Sequence, residues 1–127
     1  MSDESQSQLA QDIKWKEHKQ FLDFCLKLLP QPYTGQDSNR ITLAFFVLGG
    51  LDLLHHTEHL DKQKMIDWVY SLQIENEDPM LCGWRGSSFF KAPQDVPEAI
   101  QYDMSHVAMC YVALGTLLML GDDLSRV

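Results

Sequence analysis

Positive charge is what this chain has least of. Its 127 residues carry 10 Lys and Arg against 18 Asp and Glu, a formal net charge of −8. Binding a phosphate backbone requires Lys and Arg to replace released counterions, so nucleic acid is excluded as an expected partner. Cysteine is scarce as well: Cys25, Cys82 and Cys110 are odd in number and widely spaced, and no secretory signal is read in the opening Met-Ser-Asp-Glu-Ser-Gln. Such a set gives neither a disulfide framework nor a C-x-x-C pair, and a reducing cytoplasm is the expected setting. Long apolar runs are missing too. The longest, Val107 to Leu120, is interrupted by Gly115 and Thr116 and falls short of the ~20 residues a bilayer needs, so no membrane span is expected. What remains, 22% charged and 45% hydrophobic, is the composition of a soluble globular chain.

The hydrophobic period is helical throughout, and no strand pattern competes with it. A first helix is expected from about Leu9 to Leu29, with Phe21, Leu22, Cys25, Leu28 and Leu29 in one stripe and Pro30 as its stop. Ser38 is the expected cap of a second, carrying Ile41, Ala44, Phe45, Leu48, Leu51 and Leu54 around nearly its whole circumference. Asp61 is the expected cap of a third, with Met65, Ile66, Trp68, Val69 and Leu72 inward and Lys62, Lys64 and Asp67 in water. A long irregular stretch from Ile74 to Gln101 follows, a length that is uncommon in compact domains unless functional or mobile. The fourth helix begins near Asp103 or Ser105, with Asp103 the favoured cap, and runs to Leu120, apolar on nearly all sides. Helices two and four must therefore be surrounded by protein or line a cavity. Gly121 suits the position past a helix end, and Asp122 and Asp123 suit the start of another, so the chain is expected to be the front part of a larger protein.

Several residues invite a chemical reading. His55 and His59 stand at i and i+4, with His56 and Glu58 between, a spacing that holds zinc on a helical face. No third ligand is evident in the sequence, so a polar helix end is the preferred reading. Asp103, Ser105 and His106 resemble a catalytic triad in composition only, because neighbouring helical positions point apart. The run Cys82-Gly-Trp-Arg-Gly-Ser-Ser88 lacks the glycine spacing of a phosphate cradle and reads instead as a loop anchored by Trp84. Arg85 within it is expected to pair with an acidic group of its own chain rather than a ligand. Cys25 and Cys110 read as small core residues.

Four blocks carry a resemblance: Ile41-Thr-Leu-Ala-Phe-Phe-Val-Leu-Gly-Gly-Leu-Asp-Leu-Leu54, Trp68-Val-Tyr-Ser-Leu-Gln73, Cys82-Gly-Trp-Arg-Gly-Ser-Ser88, and Tyr102 through Tyr111 continuing to Leu120-Gly-Asp-Asp-Leu-Ser-Arg126. In that order they resemble the opening of the β subunits of protein geranylgeranyltransferase type I, within the prenyltransferase β-subunit family. The resemblance implies an all-α fold, the N-terminal helical hairpins of an α/α toroid whose ring is incomplete in this chain. Residues 1–8 would then be a disordered polar N-terminus and 9–127 a partial toroid domain truncated at its C-terminal end. It also implies transfer of a geranylgeranyl group from geranylgeranyl diphosphate to the cysteine of C-terminal C-a-a-X proteins such as small GTPases, in a cytoplasmic heterodimer with a helical α subunit. The family's zinc, which holds and activates the substrate thiolate, is bound by an Asp, a Cys and a His from later in the toroid, so no metal ligand and no catalytic residue is assigned here. Substrate-binding positions carry over at Thr42 and Phe46, which match the isoprenoid and peptide cavity, and at His106 and Ala108, which match the surroundings of the last C-a-a-X residue. A small residue at 42, where related farnesyl enzymes resemble this pattern with Trp, implies the longer isoprenoid. By this reading the chain alone is inactive. The alternatives are a β subunit of a related farnesyltransferase, a non-catalytic helical module that binds the α subunit through exposed apolar faces, and a small metal-binding protein built on the His55 to His59 cluster.

Overall fold

The computed structural model describes residues 13–93, 96 and 102–127. The expected polar N-terminus and the start of the first helix at Leu9 lie outside the described residues, as does the end of the irregular stretch at Gln101.

Among the described residues four α-helices form: α1 (Trp15–Lys27), α2 (Arg40–Leu53), α3 (Lys62–Ser71) and α4 (Val107–Leu120). Helix α1 ends where Leu28 turns extended, two residues before Pro30, whose ring is incompatible with a continuing helix. Helix α2 does not begin under a Ser38 cap. Ser38 lies within a 3-10 segment, Gln31–Asn39, and the capping position falls to Asn39, which makes no side-chain cap bond. The backbone supplies the anchor instead, since Ile41 N–H donates to the Gly86 carbonyl at 3.0 Å. Asp61 caps α3 as expected, its Oδ1 accepting from Lys64 N at 3.1 Å. Helix α4 closes on Gly121 in the left-handed region (φ +85). There the N–H of Gly121 reaches Leu118 and that of Asp122 reaches Leu117, each at 3.0 Å, a Schellman arrangement. Asp122 and Asp123 do not start a further helix in the residues to Val127; their carboxylates accept the N–H groups of Leu124 and Ser125 and close turns.

The core sits between α2, α3 and α4. Ile41 and Leu48 from α2, Ile66 and Val69 from α3, and Val112, Ala113, Leu117 and Leu120 from α4 meet Leu72 and Trp84 there. Helix α1 packs on α2 but has no fully buried residue, so its apolar stripe only half leaves water. Thr116, buried in α4, returns its hydroxyl proton to the Val112 carbonyl at 2.7 Å, which satisfies it without a partner helix.

The irregular stretch holds a small ladder that periodicity could not reveal. β1 (Gln73–Ile74) pairs antiparallel with β2 (Gly83–Trp84), Gln73 opposite Trp84 and Ile74 opposite Gly83. Two residues per strand are too few to show a period of two. Trp84 anchors this loop as expected, 4% exposed, and Arg85 and Ser87 are buried beside it. Gly83 takes φ +148, and a Cβ there would stand 2.6 Å from Ser105 Cβ and 2.8 Å from Cys110 Sγ. Only glycine lets β2 lie this close to the start of α4. Among the described residues no helix is long and apolar enough to cross a membrane.

Candidate functional site

The sequence around 41–54 folds as a helix whose apolar residues exceed what one core can bury. Ile41, Leu48 and Leu51 face inward, while Phe46 stays 66% exposed and Leu53 is exposed as well. Helix α4 repeats this: Val107, Tyr111 and Leu118 stand at i, i+4 and i+11 in one exposed stripe. The two helices thus present apolar side chains on faces turned from the core, with Phe45 joining them through ring contacts of 5.5 Å to Phe46 and 5.8 Å to Tyr111. Gly115 of α4 gives the Phe45 ring room in its present setting, a Cβ there standing 2.8 Å from the ring rim.

Thr42 lies at the junction of the two helices, half-buried, its hydroxyl donating to Met109 Sδ at 3.7 Å. Met109 in turn borders a cavity of about 440 Å³ together with His106, Arg85, Asn39 and Tyr102. Phe46 borders a different space, an apolar groove of about 590 Å³ between α1, α2 and α3, lined among others by Leu22, Cys25, Val47, Met65 and Trp68. The fold therefore brings Thr42 to the His106 cavity through Met109 and places Phe46 on a separate groove.

His106, not Asp103, caps α4. Its backbone is extended and its Nδ1 accepts from Ala108 N–H at 3.2 Å. A ring nitrogen that accepts carries no proton, so this bond leaves Nε2 as the site of the ring N–H. Ala108 is exposed beside it. Asp103 is unavailable for capping because Arg85 claims it. Nε and Nη2 of Arg85 donate to Oδ1 and Oδ2 of Asp103 at 2.7 and 2.8 Å, with the side chains 7% and 12% exposed. Arg85 Nη1 adds the Gln73 carbonyl at 3.2 Å, and Asp103 also accepts Ala92 N–H at 3.2 Å. A guanidinium in such a cage borders the cavity as a fixed wall, and the expected pairing within the chain is what the fold contains. Asp103 and His106 are thereby given to different structural tasks, and no triad forms.

The histidines take an arrangement the sequence did not suggest. Helix α2 has ended at Leu53, so the i, i+4 rule does not apply to His55 and His59. His55 enters the left-handed region (φ +48) and turns the chain, which sends His56 and His59 together toward α1. Their Nε2 atoms lie 3.0 and 2.8 Å from the two oxygens of Asp23. Partial burial pushes the Asp23 carboxyl up, but the hydrogen bonds and charges of the two imidazoles outweigh it and hold the group below its ordinary value. Asp23 is the third group that was not evident in the sequence, 33 residues away from His56. This set of three contains no cysteine, so it does not fit the Asp, Cys and His ligands that the resemblance implies for the transferase zinc. Cys25, held up in pKa by burial, lies in the groove instead. Cys110 is half-buried and Cys82 is exposed.

Comparison with known proteins bears on the whole of this framework. The profile of the prenyltransferase alpha-alpha toroid domain matches residues 13–127. The geranylgeranyl transferase type-1 subunit beta of Dictyostelium discoideum is 39% identical over 123 residues, covering 84% of this chain and 35% of its own length. That of Arabidopsis thaliana is 32% identical over 128 residues, covering 96% of this chain and 34% of its own. The chain thus spans about a third of the length of these relatives. Helices apolar on nearly all sides, stacked so that α2 and α4 turn unpaired faces outward, are the elements of a helical ring, and the chain belongs to the prenyltransferase alpha-alpha toroid family.

Proposed function

We propose that this chain serves a β subunit of protein geranylgeranyltransferase type I, lining the substrate cavity rather than supplying the catalytic centre. The observation that carries the reading is the junction at Thr42: a small side chain, where α2 meets α4 beside an exposed apolar stripe, continuous through Met109 with the cavity that His106 borders. The reaction joins the thiolate of a C-a-a-X cysteine to the first carbon of geranylgeranyl diphosphate, and diphosphate departs. An apolar face of stacked helices suits a long isoprenoid, which gains by leaving water along its whole length. Thr42 leaves room for its far end, and a Trp there would fill that room and favour a shorter chain. This reading gives His106, which borders the cavity, and the neighbouring Ala108 the task of receiving the last residue of the peptide. Both relatives are named as a subunit beta, which supports an α subunit as partner. In this reading the zinc that activates the substrate thiol is not the business of Asp23, His56 and His59, which lack the cysteine the resemblance implies for it.

The test is a chimera in which this chain replaces the corresponding third of the Arabidopsis β subunit, co-expressed with its α subunit. It is expected to assemble and to transfer geranylgeranyl in preference to farnesyl. Thr42→Trp is expected to move that ratio toward farnesyl by at least about tenfold, since steric exclusion from an apolar pocket discriminates on that scale. A chimera that assembles and transfers, yet is indifferent to Thr42→Trp, would remove the geranylgeranyl assignment.

A further inference from the structure

Among the described residues, one set of side chains outside the cavity described above converges as metal ligands do. Asp23, His56 and His59 place one donor atom each within 4.8 Å of one another, and the two imidazoles lie 4.5 Å apart between ring centres. We infer that these three residues form a site for a divalent transition-metal ion, best matched by zinc, which fastens α1 to the turn between α2 and α3.

The donor set selects the class of ion. Two imidazole nitrogens and one carboxylate oxygen suit zinc and its neighbours, whereas calcium and magnesium require shells of oxygen. Three protein ligands with a fourth position left to water is a geometry zinc adopts readily. With bonds near ~2.1 Å, tetrahedral donors stand ~3.4 Å apart. Asp23 Oδ2 is 3.0 Å from His56 Nε2 and Oδ1 is 2.8 Å from His59 Nε2, so an ion enters by parting these hydrogen-bonded donors by about half an ångström. Solvent reaches the cluster, the side chains of His56, His59 and Asp23 being 34%, 46% and 23% exposed. Both imidazoles would bind through Nε2 as neutral rings, the proton of each then carried on Nδ1.

The site is built by two independent features of the fold. The left-handed turn at His55, closed by His55 N–H to Asp52 and His56 N–H to Leu51, each at 2.9 Å, aims both rings at one point. A non-glycine residue seldom adopts that conformation. The third ligand comes from the middle of α1, the helix with no fully buried residue. A metal there contributes where packing is thinnest and steadies the helix that walls the apolar groove beside Leu22 and Cys25.

The test is a titration of the 127-residue chain with Co²⁺, followed by visible absorption, and then displacement by Zn²⁺. The expected result is one ion per chain with the intense bands of four- or five-coordinate cobalt and no near-ultraviolet sulfur-to-cobalt band. Zinc is expected to raise the thermal midpoint, since binding to the folded state alone stabilises it. Asp23→Asn and the pair His56→Gln with His59→Gln are each expected to weaken uptake by more than about tenfold, whereas replacing all three cysteines by serine leaves it unchanged. In the unsubstituted chain, the imidazole nitrogen resonances of His56 and His59 are expected to report ligation through Nε2, a readout that does not depend on a variant folding. Absence of saturable uptake, uptake that survives the histidine replacements, or a sulfur-to-cobalt band each overturns the site. The inference stands apart from the transferase reading, since neither assembly with an α subunit nor isoprenoid preference enters its test.

Discussion

Asp103 offers both carboxylate oxygens to Arg85, at 2.7 and 2.8 Å, in a place where the two side chains are 12% and 7% exposed. The pair ties the segment before α4 to the β2 loop, and through the Gln73 carbonyl to β1. Removing one partner leaves the other charge buried and uncompensated. Asp103→Ala is therefore expected to cost about 3–5 kcal/mol in urea unfolding, far above a surface change. Arg85→Met combined with Asp103→Leu is expected to recover most of that, because two apolar groups need no partner. A loss below about 1 kcal/mol for Asp103→Ala would show that the cage is not closed in solution.

Two glycines separate steric necessity from convenience. A Cβ on Gly86 would stand 2.1 Å from the Ser38 carbonyl oxygen, a backbone atom that cannot swing aside. Gly86→Ala must push the 3-10 segment off the β2 loop and strain the bond from Ile41, at an expected cost of about 3 kcal/mol. At Gly115 the neighbour is the rim of the Phe45 ring at 2.8 Å, which can rotate, and alanine gains about 1 kcal/mol of helix propensity. Gly115→Ala is expected to be near neutral. Denaturation midpoints in the reverse order would refute the packing described.

Tyr70 makes a prediction in alkali. Its hydroxyl donates to Asp122 at 2.7 Å, and the Arg126 guanidinium lies 3.7 Å above its ring. Burial raises the phenol first, the Asp122 hydrogen bond and charge raise it further, and the opposing influence of Arg126 is outweighed. A phenol held neutral in the fold ionises more easily when unfolded, near pH ~10. Its stabilising contribution is thus full below that value and lost as pH rises through the higher folded one. Phenolate absorbance is expected to show a late component that Tyr70→Phe deletes and Asp122→Asn shifts downward; an unchanged upper limb in both variants would contradict it.

The Asp61 cap is a smaller, local term. Its Oδ1 takes one of the unpaired N–H groups at the start of α3. Asp61→Ala is expected to cost about 1 kcal/mol and Asp61→Asn only a few tenths, since asparagine caps nearly as well. Equal losses for the two would point to charge rather than capping.

Much of the fold was legible because its signals are local. A cap needs an acceptor next to three free N–H groups, and Asp61 has one; a helix end needs a residue at ease with positive φ, and Gly121 is there. Trp84 could be read as an anchor because so large a ring in a loop has few places to go but inward. The expectations that failed were local readings overruled from a distance. Asp103 is a good cap by type, yet a buried guanidinium is a stronger claimant than an N–H. Ser38 lost its place to a backbone bond from the Gly86 segment, which no propensity scale contains.

By itself the sequence determined the four helices of the described residues and the apolar excess on α2 and α4, because period, caps and breakers act within a few residues of one another; the toroid came from the resemblance of its motif blocks to a known family and not from those local signals. Only the tertiary structure decided which charges meet. It gave Asp103 to Arg85, His106 to the start of α4, and Asp23 to His56 and His59 across 33 and 36 residues. Those choices turn on the exclusion of water and the angle at which one helix crosses another, neither of which exists until the chain has packed.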